Sequence, residues 1–415
     1  MSKYSDGFLR FVKETPNAYY AADNIAEMLR EKGFLELSEK DAWDMKSGKY
    51  FVRRNDATII ALDLPREYDR FSIAAAHGDS PCFRIKPNPE MAENGYLKLN
   101  TEIYGGMLQY SWLDRPLSVA GRVIVKENGV FKSRLINIQR DLLVIPSLAI
   151  HMNRGVNDGA KFNPQKELLP LVALGSEKGG FKELLDREAG AEVLDYDLYL
   201  YNRDEPKYAG NNAEFILSPR IDNLGCAYTV LNGFLLAENK KSAAVYVCFN
   251  NEETGNRTRE AAGGTFLEDV LERVCLAAGK DLRQLLAASF FVSADNGHAL
   301  HPNYPEKADP TSRACINGGI LIKHHENYTT DGLSSAILKD IYKDAAVPYQ
   351  EFASRSDMGN GGTLGKASLS HVSLCSADIG MAQLAMHSAN ELSGALDIDY
   401  MIAGMKAFYE ADIRF

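Results

Sequence analysis

The sequence predicts an α/β protein, in which a mostly parallel, helix-covered sheet is interrupted by an inserted β-rich domain. Apolar, strand-like runs alternate with helical patterns in both outer parts of the chain, which is typical of βαβ units. Residues 84–215 between them are turn-rich, with many Pro, Asn and Gly residues. A chain of 415 residues is also too long for one ordinary core. We therefore expect one domain from residues 1–83 and 216–415, and a second from residues 84–215.

The first part of the chain begins with helical periodicity. In NAYYAADNIAEMLREKGF the apolar residues Ala22, Ile25, Met28 and Leu29 recur at helical spacing, and Gly33 is a suitable stop. The short apolar runs ATIIALDL and FSIAAAHGDSP follow, and they predict two strands.

The inserted segment carries the signature of a hairpin. The stretch AGRVIVKENGVFKSRLI contains two β-rich runs around a turn at Glu127, Asn128 and Gly129. The preceding stretch RIKPNPEMAENGYLKLNTEIYGG is equally rich in turn residues. We therefore expect this domain to consist mainly of β-structure.

The alternation of strands and helices resumes after residue 215. The segments that show it are GCAYTVLNGFLLAEN, AAVYVCFN, FLEDVLERVCLAAG and ASFFVSA. We find no internal repeat and no low-complexity tract. These segments complete the predicted α/β domain.

The composition excludes several classes of protein. With 45% hydrophobic and 25% charged residues, the chain is expected to be globular. Its formal net charge of −10 argues against sequence-independent binding to nucleic acid. No apolar run reaches the roughly 18 residues of a membrane-spanning helix, and the N-terminal stretch has no secretory signal pattern. The six cysteines include no CxxC pair, so a reducing, cytoplasmic location is expected.

Potential metal ligands stand at the ends of three predicted strands. They are His77 with Asp79, Glu252 with Glu253, and Asp295. Because sites in open α/β sheets form beyond the carboxyl ends of strands, these three ends are expected to converge. Asp222 and His387 supply two further donors. This donor set predicts a hydrolytic site for two divalent ions, with zinc favoured and manganese or cobalt as alternatives.

Local geometry suggests different roles for neighbouring residues. Residues i and i+2 of a strand point to the same side, so Asp79 can accept a hydrogen bond from the far nitrogen of His77. Adjacent residues of an extended segment point to opposite sides, so Glu252 and Glu253 cannot serve one ion in the same way. A turn after the strand would let one bind metal while the other acts as a general base.

Each of these residues also has an ordinary structural explanation. A His-x-Asp pattern is common, and two adjacent glutamates are usual at a solvated helix start. His387 could be a hydrogen-bonded core histidine, and Asp222 could cap the helix that follows it. Only the joint pattern of acids at strand ends favours a metallohydrolase.

Long, ordered stretches of the chain resemble the aspartyl aminopeptidase family of dinuclear zinc exopeptidases. They are HGDSPCFRIKP, YGGMLQYSWLDRPLSVAGRV, IPSLAIHMNR, SPRIDNL, NNEETG, SADNGHALHPNY, GGTLGK and AQLAMHSANE. The resemblance covers nearly the whole chain. It implies an α/β fold of the zinc-exopeptidase type and a metal-dependent aminopeptidase that releases N-terminal Asp or Glu from peptides. It also implies two zinc ions per subunit.

The resemblance further implies a role for each candidate residue. The implied ligands are His77 and Asp295 on one zinc, Glu253 and His387 on the other, and Asp222 bridging both. The Asp222–Asn223 peptide bond would be cis. Glu252 would take a proton from the water between the metals, the hydroxide would attack the peptide carbonyl, and Glu252 would pass the proton to the leaving amine.

The inserted segment resembles the dimerisation domain of the family, whose dimers assemble into tetrahedral dodecamers. His151 matches a histidine that reaches into the active site of the partner subunit and helps to stabilise the tetrahedral oxyanion. Without the resemblance, a structural role for His151 would be the simpler explanation, because the residue sits in an apolar stretch.

Substrate preference is expected to depend on Lys323, which matches the family lysine that pairs with an acidic substrate side chain. A solvated strand-end lysine is the structural alternative.

The chain departs from the family at Asn250, where an acid is usual, and in TGNRTREAA, which replaces a small, serine-containing loop. Arg257 or Arg259 in this loop could reinforce an acidic preference or face solvent. An aminopeptidase for neutral residues and a non-catalytic assembly protein remain the alternative functions.

Overall fold

The computed structural model describes residues 2–175, 177–239, 241–359 and 361–415. The chain divides into two compact units. The first unit comprises Met1–Asp79, Pro206–Met386 and Glu391–Phe415, and the second comprises Ser80–Glu205 with His387–Asn390. None of the described helices is long and apolar enough to cross a membrane.

The first unit is built on a nine-stranded mixed sheet. Its strands in spatial order are β1 (Leu35–Leu37), β2 (Gly48–Arg54), β3 (Thr58–Leu64), β13 (Ala243–Phe249), β4 (Phe71–His77), β14 (Phe290–Ala294), β18 (Cys375–Gly380), β16 (Ile320–His324) and β17 (Tyr349–Ala353). Most neighbouring pairs are parallel, and the other three are antiparallel. Because β13, β4, β14 and β18 run parallel, their carboxyl ends meet at one edge of the sheet.

Helices cover both faces of this sheet. They are α1 (Lys3–Glu14), α2 (Ala18–Glu31), α5 (Ile221–Leu236), α6 (Phe266–Ala278), α7 (Leu282–Ala287), α8 (Gly332–Asp344), α9 (Leu364–Leu369) and α10 (Ala395–Glu410), with a 3₁₀ turn at Pro305–Lys307. Alternate residues of β13 enter different cores. Tyr246 packs in the cluster that contains α5 and α10, whereas Val245 and Val247 pack with α6. The strand is therefore apolar on both sides, as buried strands of α/β proteins are.

The helical pattern near the N-terminus is confirmed by α2. Its N-cap residue Asn17 accepts hydrogen bonds at Oδ1 from the backbone N–H groups of Tyr19 and Tyr20. The helix ends at Glu31, and Gly33 follows with a φ of 79°. Glycine adopts this left-handed conformation without steric strain, which explains the stop.

The first unit also contains a five-stranded sheet of short strands. In spatial order they are β11 (Lys207–Ala209), β12 (Phe215–Ser218), β20 (Glu391–Gly394), β19 (Ala382–Leu384) and β15 (Gly297–His298). Two of these strands follow closely after strands of the large sheet, β15 after β14 and β19 after β18. The chain thus continues from the carboxyl edge of the large sheet directly into the small one.

The second unit is a six-stranded antiparallel sheet with two helices. Its strands in spatial order are β8 (Val130–Asn137), β7 (Leu117–Glu127), β10 (Asp195–Asn202), β5 (Cys82–Glu93), β6 (Tyr96–Tyr104) and β9 (Leu171–Leu174). Its helices are α3 (Pro164–Glu167) and α4 (Gly180–Ala189), with 3₁₀ turns at Gln109–Trp112 and Val156–Asp158. The predicted hairpin is β7–β8, and its turn residues Asn128 and Gly129 have φ values of 49° and 82°. Positive φ at both positions is what a type I′ turn requires.

The predicted α/β fold class is confirmed by this architecture. The strands predicted at ATIIALDL, FSIAAAH, AAVYVCF and FFVSA are β3, β4, β13 and β14, and the inserted segment is rich in β-structure. The large sheet is mixed rather than wholly parallel, because β2, β3 and β16 each have an antiparallel neighbour.

Candidate metal centre

Three neighbouring parallel strands of the first unit end in candidate ligands. His77 is the last residue of β4 and lies opposite Phe249, the last residue of β13. Asp295 directly follows β14. The glutamates Glu252 and Glu253 come shortly after β13. These strand ends therefore converge, as the sequence predicts, because the three strands are parallel neighbours in the sheet.

The imidazole of His77 is buried and directed at two acids. Its Nε2 atom lies 3.5 Å from Oδ1 of Asp222 and 3.6 Å from Oδ1 of Asp295. Its Nδ1 atom lies 3.1 Å from the backbone oxygen of Asp79 and 3.4 Å from Oδ1 of the same residue. The ring is thus oriented from its far side by Asp79, although the backbone oxygen is closer than the carboxylate that the sequence suggested.

The carboxylate of Asp79 also fixes the turn that carries the two glutamates. Its Oδ1 accepts from the backbone N–H of Glu252 at 3.2 Å, and its Oδ2 accepts from that of Glu253 at 3.1 Å. The turn begins at Asn251, which has a φ of 62°, and the N–H of Gly255 donates to the oxygen of Glu252 at 2.9 Å. The turn after the strand that the sequence predicts, which allows Glu252 and Glu253 to have different roles, is therefore present.

Asp222 is held from two sides at the start of α5. The Asp222–Asn223 peptide bond is cis, as the family resemblance implies. The N–H of Asp222 donates to Oε2 of Glu391 at 2.9 Å, and Nδ2 of Asn223 donates to the backbone oxygen of Ala294 at 2.9 Å. The N-cap of α5 is Arg220. Asp222 therefore does not cap this helix, which was the structural explanation considered for it from the sequence.

The donor set fits a divalent cation. One ligand atom from each of His77, Asp222 and Glu253 lies within 4.8 Å of the other two. With the approach of Asp295 to His77, the structure brings together four of the five predicted ligands. Imidazole and carboxylate oxygens are ligands that suit zinc.

The electrostatics of the site favour bound positive charge. Burial lowers the pKa of His77, but the carboxylates of Asp295 and Asp79 outweigh burial and raise it well above its usual range. Burial raises the pKa of the Glu252 carboxyl, and nearby Asp295 and Asp79 act in the same direction. A divalent cation among these carboxylates would favour their ionised forms. The chemistry of the residues therefore agrees with a metal centre.

Lys323 is hydrogen-bonded to the segment that carries Asp295. Its Nζ donates to the backbone oxygens of Asp295 at 3.1 Å and Asn296 at 3.0 Å, and it lies 4.7 Å from the centre of the Tyr328 ring. The residue is only 2% exposed. Burial lowers the pKa of Lys323, but the charges of Asp295 and Tyr328 outweigh this and raise it. The ammonium group is thus buried, charged and bound to backbone carbonyls.

The two remaining predicted site residues belong to the second unit. His387 has a φ of 66°, and its Nδ1 lies 2.7 Å from the backbone oxygen of Gly106. His151 is exposed in a turn between Leu148 and Met152, whose side chains are also exposed. Their roles at the metal centre stay predictions.

Two polar residues near the candidate ligands were not singled out from the sequence. Asn256 is buried in the loop that differs from the family, and its Nδ2 donates to Oε1 of Glu252 at 3.3 Å. Glu391 is buried and binds the backbone of Asp222. In the sequence, the one indication of a role for either residue is that Glu391 belongs to AQLAMHSANE, a stretch that carries the family resemblance. The arginines of the altered loop, Arg257 and Arg259, are exposed, which agrees with their solvent-facing alternative.

Comparisons with known proteins agree with this arrangement. The family model of aminopeptidase I zinc metalloproteases (M18) matches residues 11–409. A relative from Clostridium acetobutylicum, named "Probable M18 family aminopeptidase 2", is 42% identical, and the match covers 98% of this chain and 98% of the relative.

Solved structures of similar fold cover the same length. A structure of the Ape4 and Nbr1 complex matches with a TM-score of 0.94 and 33% identity, over 98% of this chain and 85% of that chain. The S. cerevisiae mApe1 dodecamer matches with a TM-score of 0.87 and 25% identity, over 98% and 96% of the two chains.

Proposed function

Because this chain belongs to the aminopeptidase I zinc metalloprotease (M18) family, we propose that it releases N-terminal Asp or Glu from peptides at a site for two zinc ions. Family membership makes the chain a metallo-aminopeptidase, which is a hydrolase of the exopeptidase class. The resemblance found in the sequence is thereby confirmed at the level of the family.

The clustering of His77, Asp222 and Glu253 is the observation that carries this proposal. His77 and Asp295 would hold one ion, Glu253 and His387 would hold the other, and Asp222 would contact both. When bound, zinc supplies a Lewis acid that polarises a carbonyl and makes water reactive near neutral pH. Manganese or cobalt are alternative occupants of the same donor set.

Glu252 would be the general base of the reaction. Its carboxylate is adjacent to a ligand in the chain, yet the turn held by Asp79 gives it a separate position. In this role it takes a proton from the attacking water and delivers that proton to the leaving nitrogen. Asn256 would orient the carboxylate through the hydrogen bond to Oε1.

A preference for acidic residues would depend on Lys323. A buried ammonium close to the metal centre favours a carboxylate and disfavours a neutral side chain, which would leave the charge unpaired. Among the described residues, two of its three N–H groups donate to the oxygens of Asp295 and Asn296, and the third would donate to the substrate carboxylate. An enzyme of the same fold that prefers neutral first residues is the alternative.

We also propose that the chain forms dimers and, from them, a dodecamer. The second unit exposes several large apolar side chains, which is typical of surfaces that bind a partner chain. They are Val130, Phe131, Leu148, Ile150, Met152 and Leu174. A similar solved structure is a dodecamer. In the chain, His151 lies between two of these residues, Ile150 and Met152, and it would complete the site of a neighbouring subunit.

The cysteines are consistent with a reducing compartment, and we propose the cytoplasm. All six cysteines are free. Three of them, Cys226, Cys248 and Cys275, are buried in the first unit. Free cysteines of this kind are usual in proteins from reducing environments.

A rate panel on the purified protein tests the proposed function. Reporter substrates with N-terminal Asp, Glu, Leu, Ala or Lys are compared with added zinc, manganese or cobalt, and again after chelation. Metal-dependent cleavage that favours Asp or Glu supports the proposal. Preference for Leu or Ala would retain the aminopeptidase chemistry and overturn the acidic specificity. A folded, assembled protein with no cleavage under any metal would favour the non-catalytic alternative.

A further inference from the structure

A cavity of about 500 Å³ lies in the first unit. Four segments form it: residues 298–309 from β15 onward, residues 312–314, residues 352–359 at and after β17, and residues 383–385 at and after β19. Its walls are largely apolar, with side chains from Ala299, Leu300, Tyr304, Phe352, Met358 and Leu384. Small-molecule and peptide side-chain sites commonly have this size and character.

The cavity is connected to the metal centre through short stretches of chain and direct contacts. His298 lies three residues after Asp295, so their Cα atoms are no more than about 11 Å apart. Gln383, which lines the cavity, accepts at Oε1 from Nδ2 of Asn296 at 2.8 Å. The same Nδ2 also donates to the backbone oxygen of Ile221, the residue before Asp222. A peptide held at the metal centre would reach the cavity within one or two residues of its length.

The charged groups around the cavity do not make it a site for an acidic side chain. The Arg355 guanidinium binds both carboxylate oxygens of Asp357, at 2.8 and 2.6 Å, and the backbone oxygen of Glu306 at 2.7 Å. Asp309 adds a carboxylate to the lining, and the other side-chain cation there, Lys307, is exposed to solvent and acts on Asp357. An acidic side chain would therefore lose hydration without gaining an available guanidinium, whereas an apolar side chain would gain by burial.

We infer that this cavity binds the side chain of the second residue of the substrate, and that it selects an apolar residue of Leu or Phe size. The inference rests on the proposed function, because the acidic first residue would be bound elsewhere, at Lys323. The preferred substrates would then have an acidic residue followed by a large apolar one. The second residue belongs to the part of the peptide that leaves with the new amino group.

The test compares dipeptides and tripeptides that share Glu as the first residue and differ only in the second. The wild-type protein should cleave Glu–Phe and Glu–Leu peptides with a kcat/KM about tenfold or more above that of Glu–Gly peptides. Ser354 lines the cavity and is half-buried. The variant Ser354→Phe should fill the cavity and bring this ratio to within about twofold, because the cavity can no longer bury the Phe or Leu side chain.

Two further variants make the result decisive. Ser356→Phe introduces the same side chain two residues away at an exposed position outside the cavity lining, and it should retain the wild-type ratio. Leu300→Glu places a charge in the cavity and should lower cleavage of Glu–Phe selectively. If either lining variant proves unfolded, the other, together with the wild-type panel, still decides.

The outcomes separate this inference from the proposed function. Cleavage with no preference at the second position would overturn the inference and leave the aminopeptidase function intact. A change in the preferred first residue in Ser354→Phe, measured on Xaa–Gly peptides, would assign the cavity to the first residue and also overturn it. Absence of cleavage of every peptide would remove the proposed function and this inference with it.

Discussion

The side-chain amide of Asn256 donates a hydrogen bond from Nδ2 to Oε1 of Glu252, at a distance of 3.3 Å. Asn256 is buried and has a φ of 58°, a conformation that asparagine tolerates better than most residues. Its backbone is anchored on both sides, by the oxygen of Asn251 and by the N–H of Gly263. The residue is thus a rigid donor aimed at the proposed general base.

Replacing this donor should slow catalysis more than it weakens substrate binding. A hydrogen bond to a charged group is worth about 1.5–3 kcal/mol, so Asn256→Ala should lower kcat by roughly 10- to 100-fold with little change in KM. Asn256→Asp retains the volume but places a second carboxylate against Glu252, and it should lower kcat further. Steady-state kinetics with metal content measured in parallel checks this prediction. Thr254→Ala, in the exposed part of the same turn, is the control and should behave as wild type.

Lys323→Met should abolish discrimination in favour of acidic first residues. The loss should fall mainly on Asp and Glu substrates, and the ratio of Glu to Leu kcat/KM is the readout. The variant also leaves the oxygens of Asp295 and Asn296 without their donor, which should destabilise the fold by about 1–3 kcal/mol. An equal loss on every substrate would show that Lys323 only braces the metal-ligand segment. Lys339→Met is the control for loss of a lysine charge, at a half-exposed lysine that pairs with Glu351.

Gly380→Ala should damage the metal centre through the backbone. A Cβ atom at Gly380 would lie 1.9 Å from the backbone oxygen of Asp295, so β18 and the end of β14 would have to separate. We expect destabilisation of about 1–3 kcal/mol or more, together with a lower zinc content. Gly332→Ala meets no atom within 4 Å and is the matched control. Unchanged metal content and stability in Gly380→Ala would contradict this packing.

Asp397 should make the stability of the fold depend on pH. Burial raises the pKa of Asp397 to about 6, even though its carboxylate accepts from the N–H groups of Asn317 and Gly319. An unfolded Asp has a pKa of about 3.9, so the folded state binds this proton more tightly. The resulting stabilisation is present below about pH 4 and is lost as the pH rises through about 6, an effect of about 3 kcal/mol.

Urea unfolding of the wild type and Asp397→Asn at several pH values between 4 and 7 measures this contribution. Other groups titrate in both proteins and cancel in the difference. The variant should become more stable relative to the wild type as the pH rises. A difference that stays constant across the range would show that Asp397 has an ordinary pKa in the folded protein.

Much of the fold could be predicted from the sequence because its long elements have clear periodicity. The strands that carry His77 and Asp295, and the β7–β8 hairpin, follow directly from apolar runs and an Asn-Gly turn. The five-stranded sheet could not be predicted, because strands such as β15 and β19 contain only two or three residues. No periodic signal exists at that length, and only tertiary pairing creates the sheet.

The ligands of the candidate site could be predicted from the sequence, but the contacts that position them and the proposed base could not. His77, Glu253 and Asp295 stand at strand ends, where the position in the chain indicates the position in space. The contact between Asp79 and the glutamate turn joins residues more than 170 positions apart, and no local pattern encodes it. The same holds for Asn256, whose orientation depends on the backbone conformation of its own loop.

Product analysis on matched peptides tests the central claim most directly. A peptide with a free N-terminal Glu and its N-acetylated twin are incubated with the purified protein as prepared, after chelation, and after zinc is restored. We predict that free Glu is released only from the unblocked peptide, that chelation abolishes release, and that zinc restores it. Cleavage of the acetylated peptide, or undiminished release from protein shown to be free of metal, would contradict a metal-dependent aminopeptidase.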